Sequence, residues 1–139
     1  MRRALIGLDA LAALVVAAGC GGGTTREQAN VATPPVTEQV RQALRDSLKG
    51  PVLPDMTTAQ HPRLPFVAVA GCTGPTGGGA GRYECATTPR GGHGIRSITV
   101  EVRRDGRWST QPLTVQARVH GHRATAVTSV WGFGIRLPS

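Results

Sequence analysis

Aromatic residues are scarce in this chain of 139 residues, in which two Trp, two Phe and one Tyr make up 4% of the total. A domain with so few large rings has a modest core, so a covalent cross-link would contribute usefully to its stability. Lysine is nearly absent too, because every basic residue except Lys49 is an arginine. No uninterrupted apolar run reaches the roughly 20 residues that a transmembrane helix needs.

The sequence also lacks the common catalytic motifs. It contains no Gly-x-Ser-x-Gly nucleophile turn, and the glycine run at residues 76–81 is followed by Arg82 where a phosphate-binding loop has Lys-Ser/Thr. No pair of carboxylates stands out for acid–base catalysis, and the three cysteines lack the Cys-x-x-Cys spacing of zinc sites. We therefore expect a protein that is not an enzyme and that holds no cofactor or metal.

Two histidines leave one alternative open. His120 and His122 are two residues apart, so on a strand they would share a face, as metal ligands often do. Gly121 between them indicates a turn, and no acidic or cysteine ligand is near in sequence. An exposed turn is the favoured interpretation, and a metal or small-ligand carrier remains the alternative.

The N-terminus has the layout of a secretory signal. Arg2 and Arg3 form a positive head, residues 4–18 are apolar or small except for Asp9, and Gly19-Cys20 follows. An uncleaved membrane anchor is the alternative interpretation. The arginine pair is compatible with either the general or the twin-arginine export route.

The run Val16-Ala17-Ala18-Gly19-Cys20 resembles the lipobox of bacterial lipoproteins. This resemblance implies cleavage before Cys20, a diacylglycerol with palmitate-type acyl chains on its thiol, and anchoring at the extracytoplasmic face of the cell membrane. The predicted organisation is then a signal peptide over residues 1–19, a lipidated cysteine and flexible tether over 20–35, and one domain over 36–139. Two acyl chains suffice for stable anchoring where one does not.

Cys72 and Cys85 are the two cysteines that remain after Cys20. Outside the cytoplasm an even pair of cysteines normally forms a disulfide, so we predict a bond between them.

Hydrophobic periodicity predicts an α+β domain, with one N-terminal helix packed on an antiparallel sheet of about five short strands. A helix is expected over residues 36–49, capped by Thr37 and ended by Gly50 in a left-handed conformation. Residues 51–63 contain three prolines and are predicted to form a loop. From Leu64 onward the pattern alternates with period two, which is typical of strands. The alternation predicts that one face of the first strand carries Leu64, Phe66, Ala68, Ala70 and Cys72. Near the C-terminus it predicts a shared face for Val127, Trp131, Phe133, Ile135 and Leu137.

The helix and the segments Val69–Cys72, Tyr83–Cys85 and Ile98–Val102 resemble a group of small actinobacterial lipoproteins. That resemblance implies a short helix and a disulfide-stapled β-hairpin in a domain of unknown function. It assigns no catalytic residue.

Charge and aromatic residues point to binding. Removing Arg2, Arg3 and Asp9 with the signal lowers the formal net charge from +8 to +7. The favoured interpretation is an arginine-rich surface that implies no particular partner, and the alternative is attraction to anionic lipid headgroups or an acidic envelope polymer. The export signal argues against nucleic acid as the partner of these arginines.

Trp108, Trp131 and Phe133 are the candidate binding residues, because Trp and Arg dominate interface hot spots. The favoured interpretation of Trp131 and Phe133 is nevertheless that both rings fill the core. The predicted function is a non-enzymatic envelope lipoprotein that binds an envelope protein or polymer. The alternatives are an envelope hydrolase or hydrolase inhibitor, and a metal or small-ligand carrier.

Overall fold

Eight β-strands follow one helix in the part of the chain that the computed structural model describes, residues 32–51, 53 and 56–139. The elements are α1 Val36–Ser47, β1 Ala59–Arg63, β2 Phe66–Thr73, β3 Gly81–Pro89, β4 Ser97–Val102, β5 Trp108–Thr110, β6 Leu113–Val119, β7 His122–Thr128 and β8 Trp131–Gly132. The predicted signal peptide, Cys20 and most of the predicted tether lie outside these residues. No helix within them is both long and apolar enough to span a membrane.

The strands form two antiparallel sheets. The large sheet has the order β2-β3-β4-β5-β8, and the small sheet has the order β1-β6-β7. The predicted mixed α+β class with antiparallel pairing is therefore confirmed, although strands predominate. The expectation of a single sheet with about five strands was wrong.

A bent hairpin explains the second sheet. The chain passes from β5 into β6 at Gln111-Pro112 and returns from β7 into β8 at Ser129-Val130. Thr110 N donates to Val130 O at 2.8 Å, and Val130 N donates to the Thr110 hydroxyl at 3.0 Å. Pro112 has no N–H to continue the ladder, so the hairpin bends there and its outer half leaves the large sheet.

Strand β1 lies in the segment that we expected to be a loop. It pairs with β6 at the edge of the small sheet, and the register shifts between Gln60 and Arg63. Pro62 falls within this irregularity, and His61 has a positive φ of 53°. An edge strand with a bulge tolerates a proline, which is why the prolines of this segment did not exclude a strand.

Helix α1 begins and ends differently from the prediction. Pro35 occupies the N-cap position without any side-chain hydrogen bond, and its carbonyl accepts from the N–H groups of Glu38 and Gln39. Thr37 is therefore not the cap. Gly50 does not adopt the left-handed conformation; its N–H donates to Ser47 O at 3.4 Å instead. The helix buries Val36, Val40 and Leu44, which lie on one of its faces.

Two register shifts change which side chains of β2 face the core. The shifts fall between Phe66 and Ala68 and between Val69 and Gly71. Val69 is buried as a result, whereas Ala68 and Ala70 are exposed, so the strict alternation predicted for this strand was wrong.

The core beneath the sheets joins α1 to both of them, and its largest fully buried side chains are Tyr83, Phe66, Leu44 and Ile98.

The predicted disulfide is confirmed. Cys72 and Cys85 are directly opposite each other on β2 and β3, with the two sulfur atoms 2.07 Å apart. The bond therefore joins the edge strand β2 to the next strand of the large sheet.

Candidate functional site: an aromatic groove

An open groove of about 500 Å³ lies at the edge of the large sheet where β5 meets β8. The side chains that line it come from the β4–β5 hairpin and from the C-terminal segment: Arg103, Arg107, Trp108, Ser109, Trp131 and Phe133. We call this site the aromatic groove. Its volume falls within the range of about 300–1,000 Å³ that is usual for ligand sites.

A tight turn positions the two arginines. Arg103 N donates to Arg107 O at 2.8 Å, and Gly106 N donates to Arg103 O at 3.0 Å. Gly106 has a φ of 84°, which is the left-handed conformation that glycine adopts without strain. Asp105-Gly106 is a residue pair that favours hairpin turns, and the turn that it forms has Arg103 on one side and Arg107 on the other.

The C-terminal segment is held against that turn. Ile135 N donates to Gly106 O at 3.1 Å, and a Cβ added at Gly106 would lie 2.5 Å from Ile135 O. Gln39 of α1 also binds the backbone of Arg136, accepting from its N–H at 2.8 Å and donating to its carbonyl at 3.0 Å. These contacts fix the path of the chain immediately after Phe133.

Trp108 forms the floor of the groove. Its side chain is buried, and it packs against Gly132, where an added Cβ would lie 2.7 Å from the indole Nε1. Only a glycine lets β8 approach the ring so closely. Of the three candidate binding residues, Trp108 is the one that belongs to the core.

Trp131 and Phe133 are exposed, contrary to our favoured interpretation that both rings fill the core. Their exposed fractions are 42% and 80%. Val127, which we expected on the same buried face, is 69% exposed, whereas Ile135 is buried. The prediction chose the wrong face, because Thr128 and Val130 are the buried residues of this segment and Val127 and Trp131 alternate with them.

The groove is basic as well as aromatic. Arg107 lies 3.4 Å from a carboxylate oxygen of Asp105, and both side chains are mostly exposed, so this ion pair is weak. Arg103 has no carboxylate within 4.0 Å among the described residues. The sequence analysis did not single out these two arginines, although the Asp105-Gly106 pair between them is a usable hairpin signal.

The groove lining offers binding chemistry. Indole and phenyl faces bind apolar groups and cations, and guanidinium groups bind carboxylates and phosphates. Ser109 is the sole hydroxyl among the lining residues, and no histidine or carboxylate lies among them to activate it. The arrangement therefore suits an anionic ligand that has an apolar or ring-shaped part.

The described residues bring no third metal ligand to His120 and His122. His120 and Gly121 both have positive φ, and they form the exposed turn between β6 and β7. His122 is exposed as well. Among the described residues no three side chains of His, Cys, Asp or Glu are grouped so that they could hold a metal.

Comparison with known proteins identifies no relative. No family model, no curated protein and no solved structure matches the chain. The resemblances to the lipobox and to small actinobacterial lipoproteins therefore remain predictions from the sequence.

Proposed function

We propose that the protein is a lipid-anchored envelope lipoprotein whose extracytoplasmic domain is a non-enzymatic binding module. The signal-like N-terminus with Cys20 supports the anchor, and the disulfide between Cys72 and Cys85 fits an oxidising compartment. The aromatic groove is the proposed binding site. Its partner would be an envelope protein that presents an apolar side chain next to acidic residues.

The exposure of Trp131 and Phe133 is the observation that carries the proposal. The chain has five aromatic residues, and two of them are exposed in the lining of one groove. Burying a side chain such as Phe contributes about 1.5–3 kcal/mol, and this chain alone leaves most of that contribution unrealised. A partner that covers both rings would realise it.

The neighbouring arginines favour a protein partner. Interface hot spots are enriched in Trp, Tyr and Arg, and the energetically important contacts cluster in one well-packed pocket. Arg103 and Arg107 flank the aromatic pair and have little or no carboxylate compensation. An acidic partner residue that is buried against them would gain a charge-assisted hydrogen bond.

Site-specific photocrosslinking in the cells that make the protein tests the proposal. A photoreactive benzoylphenylalanine replaces Phe133 in the full chain, and a matched control replaces Val67, which is 45% exposed on the opposite edge strand of the large sheet. We expect position 133 to crosslink one envelope protein that position 67 does not reach. Adding Trp131→Ala should abolish that product without loss of the folded protein.

Two results would contradict a binding role for the groove. One is the absence of any discrete product from position 133 across growth conditions. The other is an identical set of products from positions 133 and 67, since that pattern would reflect collisions and not a site.

A further inference from the structure

Three arginines share the outward face of the small sheet. The strand register places Gln60, Arg118 and Arg123 in one row across β1, β6 and β7, and Arg63 heads the next row with Gln116 and Thr125. Directly paired residues of antiparallel strands point to the same side of the sheet. We call the side that carries Arg63, Arg118 and Arg123 the basic face, and all three residues are exposed.

The charges on this face are not compensated within the described chain. Arg118 and Arg123 are directly opposite each other, and like charges in that position destabilise a sheet. The ion pairs among the described residues involve other cations, namely Arg41, Lys49 and Arg107. The remaining outward side chains of β6 and β7 are uncharged. An external anion is therefore the natural complement of this face.

The shape and composition of the face favour an extended anionic surface. It is the side of a sheet, and it carries no aromatic residue on which a base or a sugar ring could stack. Val127 lies on the same side and is 69% exposed, which allows an apolar side chain to enter a headgroup layer. These features fit a bilayer surface better than a single polymer strand.

We propose that the basic face docks on the anionic headgroups of the bilayer to which the chain is anchored. The identity of that bilayer rests on the proposed function, since the anchor at Cys20 is part of it. The fourteen residues from Cys20 to Thr33 can span at most about 50 Å, so an anchored domain stays within reach of its own membrane. Weak surface contacts then suffice, because anchoring raises their effective concentration.

Vesicle co-sedimentation without the lipid tests this face separately from the anchor. The probe is the chain from residue 20 to 139 with Cys20→Ser. The core, the disulfide and both sheets lie within Pro34–Ser139, which is a single compact unit, so this chain keeps what the fold uses. The vesicles are pure phosphatidylcholine, or phosphatidylcholine with about one third phosphatidylglycerol.

Two double variants remove the same charge from different places. Arg118→Gln with Arg123→Gln should lower the partition coefficient onto phosphatidylglycerol vesicles about 25-fold, because each arginine near an anionic surface contributes about fivefold. Arg45→Gln with Arg104→Gln, both exposed and outside the basic face, should change it by less than about threefold, since distant charges are screened. Circular dichroism confirms that both variants fold.

Three outcomes would overturn the proposal. They are equal losses in the two double variants, equal retention by phosphatidylcholine vesicles, and binding of soluble polyphosphate without binding to phosphatidylglycerol vesicles. The last result would assign the face to an acidic polymer. Because the probe has no lipid and an intact aromatic groove, none of these results bears on lipidation or on the protein partner.

Discussion

Gly132 and Phe133 are neighbours in sequence, yet one packs against a buried ring and the other is in solvent. Gly132 allows Trp108 to lie flat beneath β8, and Phe133 is 80% exposed one residue later. Hydrophobicity alone does not distinguish the buried ring of Trp108 from the exposed ring of Phe133. The sequence shows a glycine between Trp131 and Phe133. It does not show that this glycine contacts Trp108, because the two residues are 24 positions apart in the chain.

The substitution Gly132→Ala should destabilise the domain by about 1–3 kcal/mol, because the new methyl group would overlap the Trp108 indole and force one of them to move. The midpoint of urea unfolding measures this loss. Gly92→Ala is the matched control, since an added Cβ at Gly92 meets nothing within 4 Å. Equal midpoints for the two variants would show that Trp108 is not packed against Gly132.

Tyr83 provides a pH test because it is the only tyrosine in the chain. Burial raises its pKa above the usual value of about 10, and its hydroxyl donates to Gly79 O at 2.7 Å. The unfolded state therefore loses the phenol proton first. This contribution to stability is complete below pH 10 and declines as the pH rises through the raised folded pKa.

Tyrosinate absorbance follows this titration directly. The folded protein should ionise Tyr83 at a higher pH than the urea-unfolded protein does, and Tyr83→Phe should remove the absorbance change. Superimposable titration curves for the two states would contradict the burial of Tyr83.

At the scale of whole elements, the strands that alternate regularly were predicted well, whereas the strands with irregular pairing were not. β6 lies in the part of the chain where a period of two was predicted, and it buries Leu113, Val115 and Ala117 while exposing the residues between them. β1 was missed because its segment contains prolines, and the strict alternation predicted for β2 fails where its register shifts. A bulge moves side chains to the other face, and the pairing that produces it is not encoded within the strand itself.

The disulfide links β2 to β3. Replacing both Cys72 and Cys85 by alanine should cost about 3 kcal/mol, because the bond closes a loop with a sequence separation of 13 residues. Urea unfolding of the oxidised, reduced and doubly substituted proteins measures the loss. Identical stabilities of the oxidised and reduced forms would show that the bond contributes nothing to this fold.

At the scale of the molecule, the two proposed surfaces lie on different sheets. The aromatic groove is at the β5–β8 edge of the large sheet, and the basic face is the outward side of the small sheet. The bent hairpin from Trp108 to Gly132 contributes to both. The sequence indicated basicity and three candidate binding residues, but only the strand register shows which arginines share a surface.

The intact mass of the protein purified from its native membrane, taken with and without reduction and alkylation, tests the central claim most directly. The account predicts cleavage before Cys20, the added mass of a diacylglycerol, and alkylation of Cys72 and Cys85 only after reduction. A full-length chain without lipid and with free thiols would contradict it. That result would place the protein inside the cell and reopen nucleic acid as the partner of its arginines.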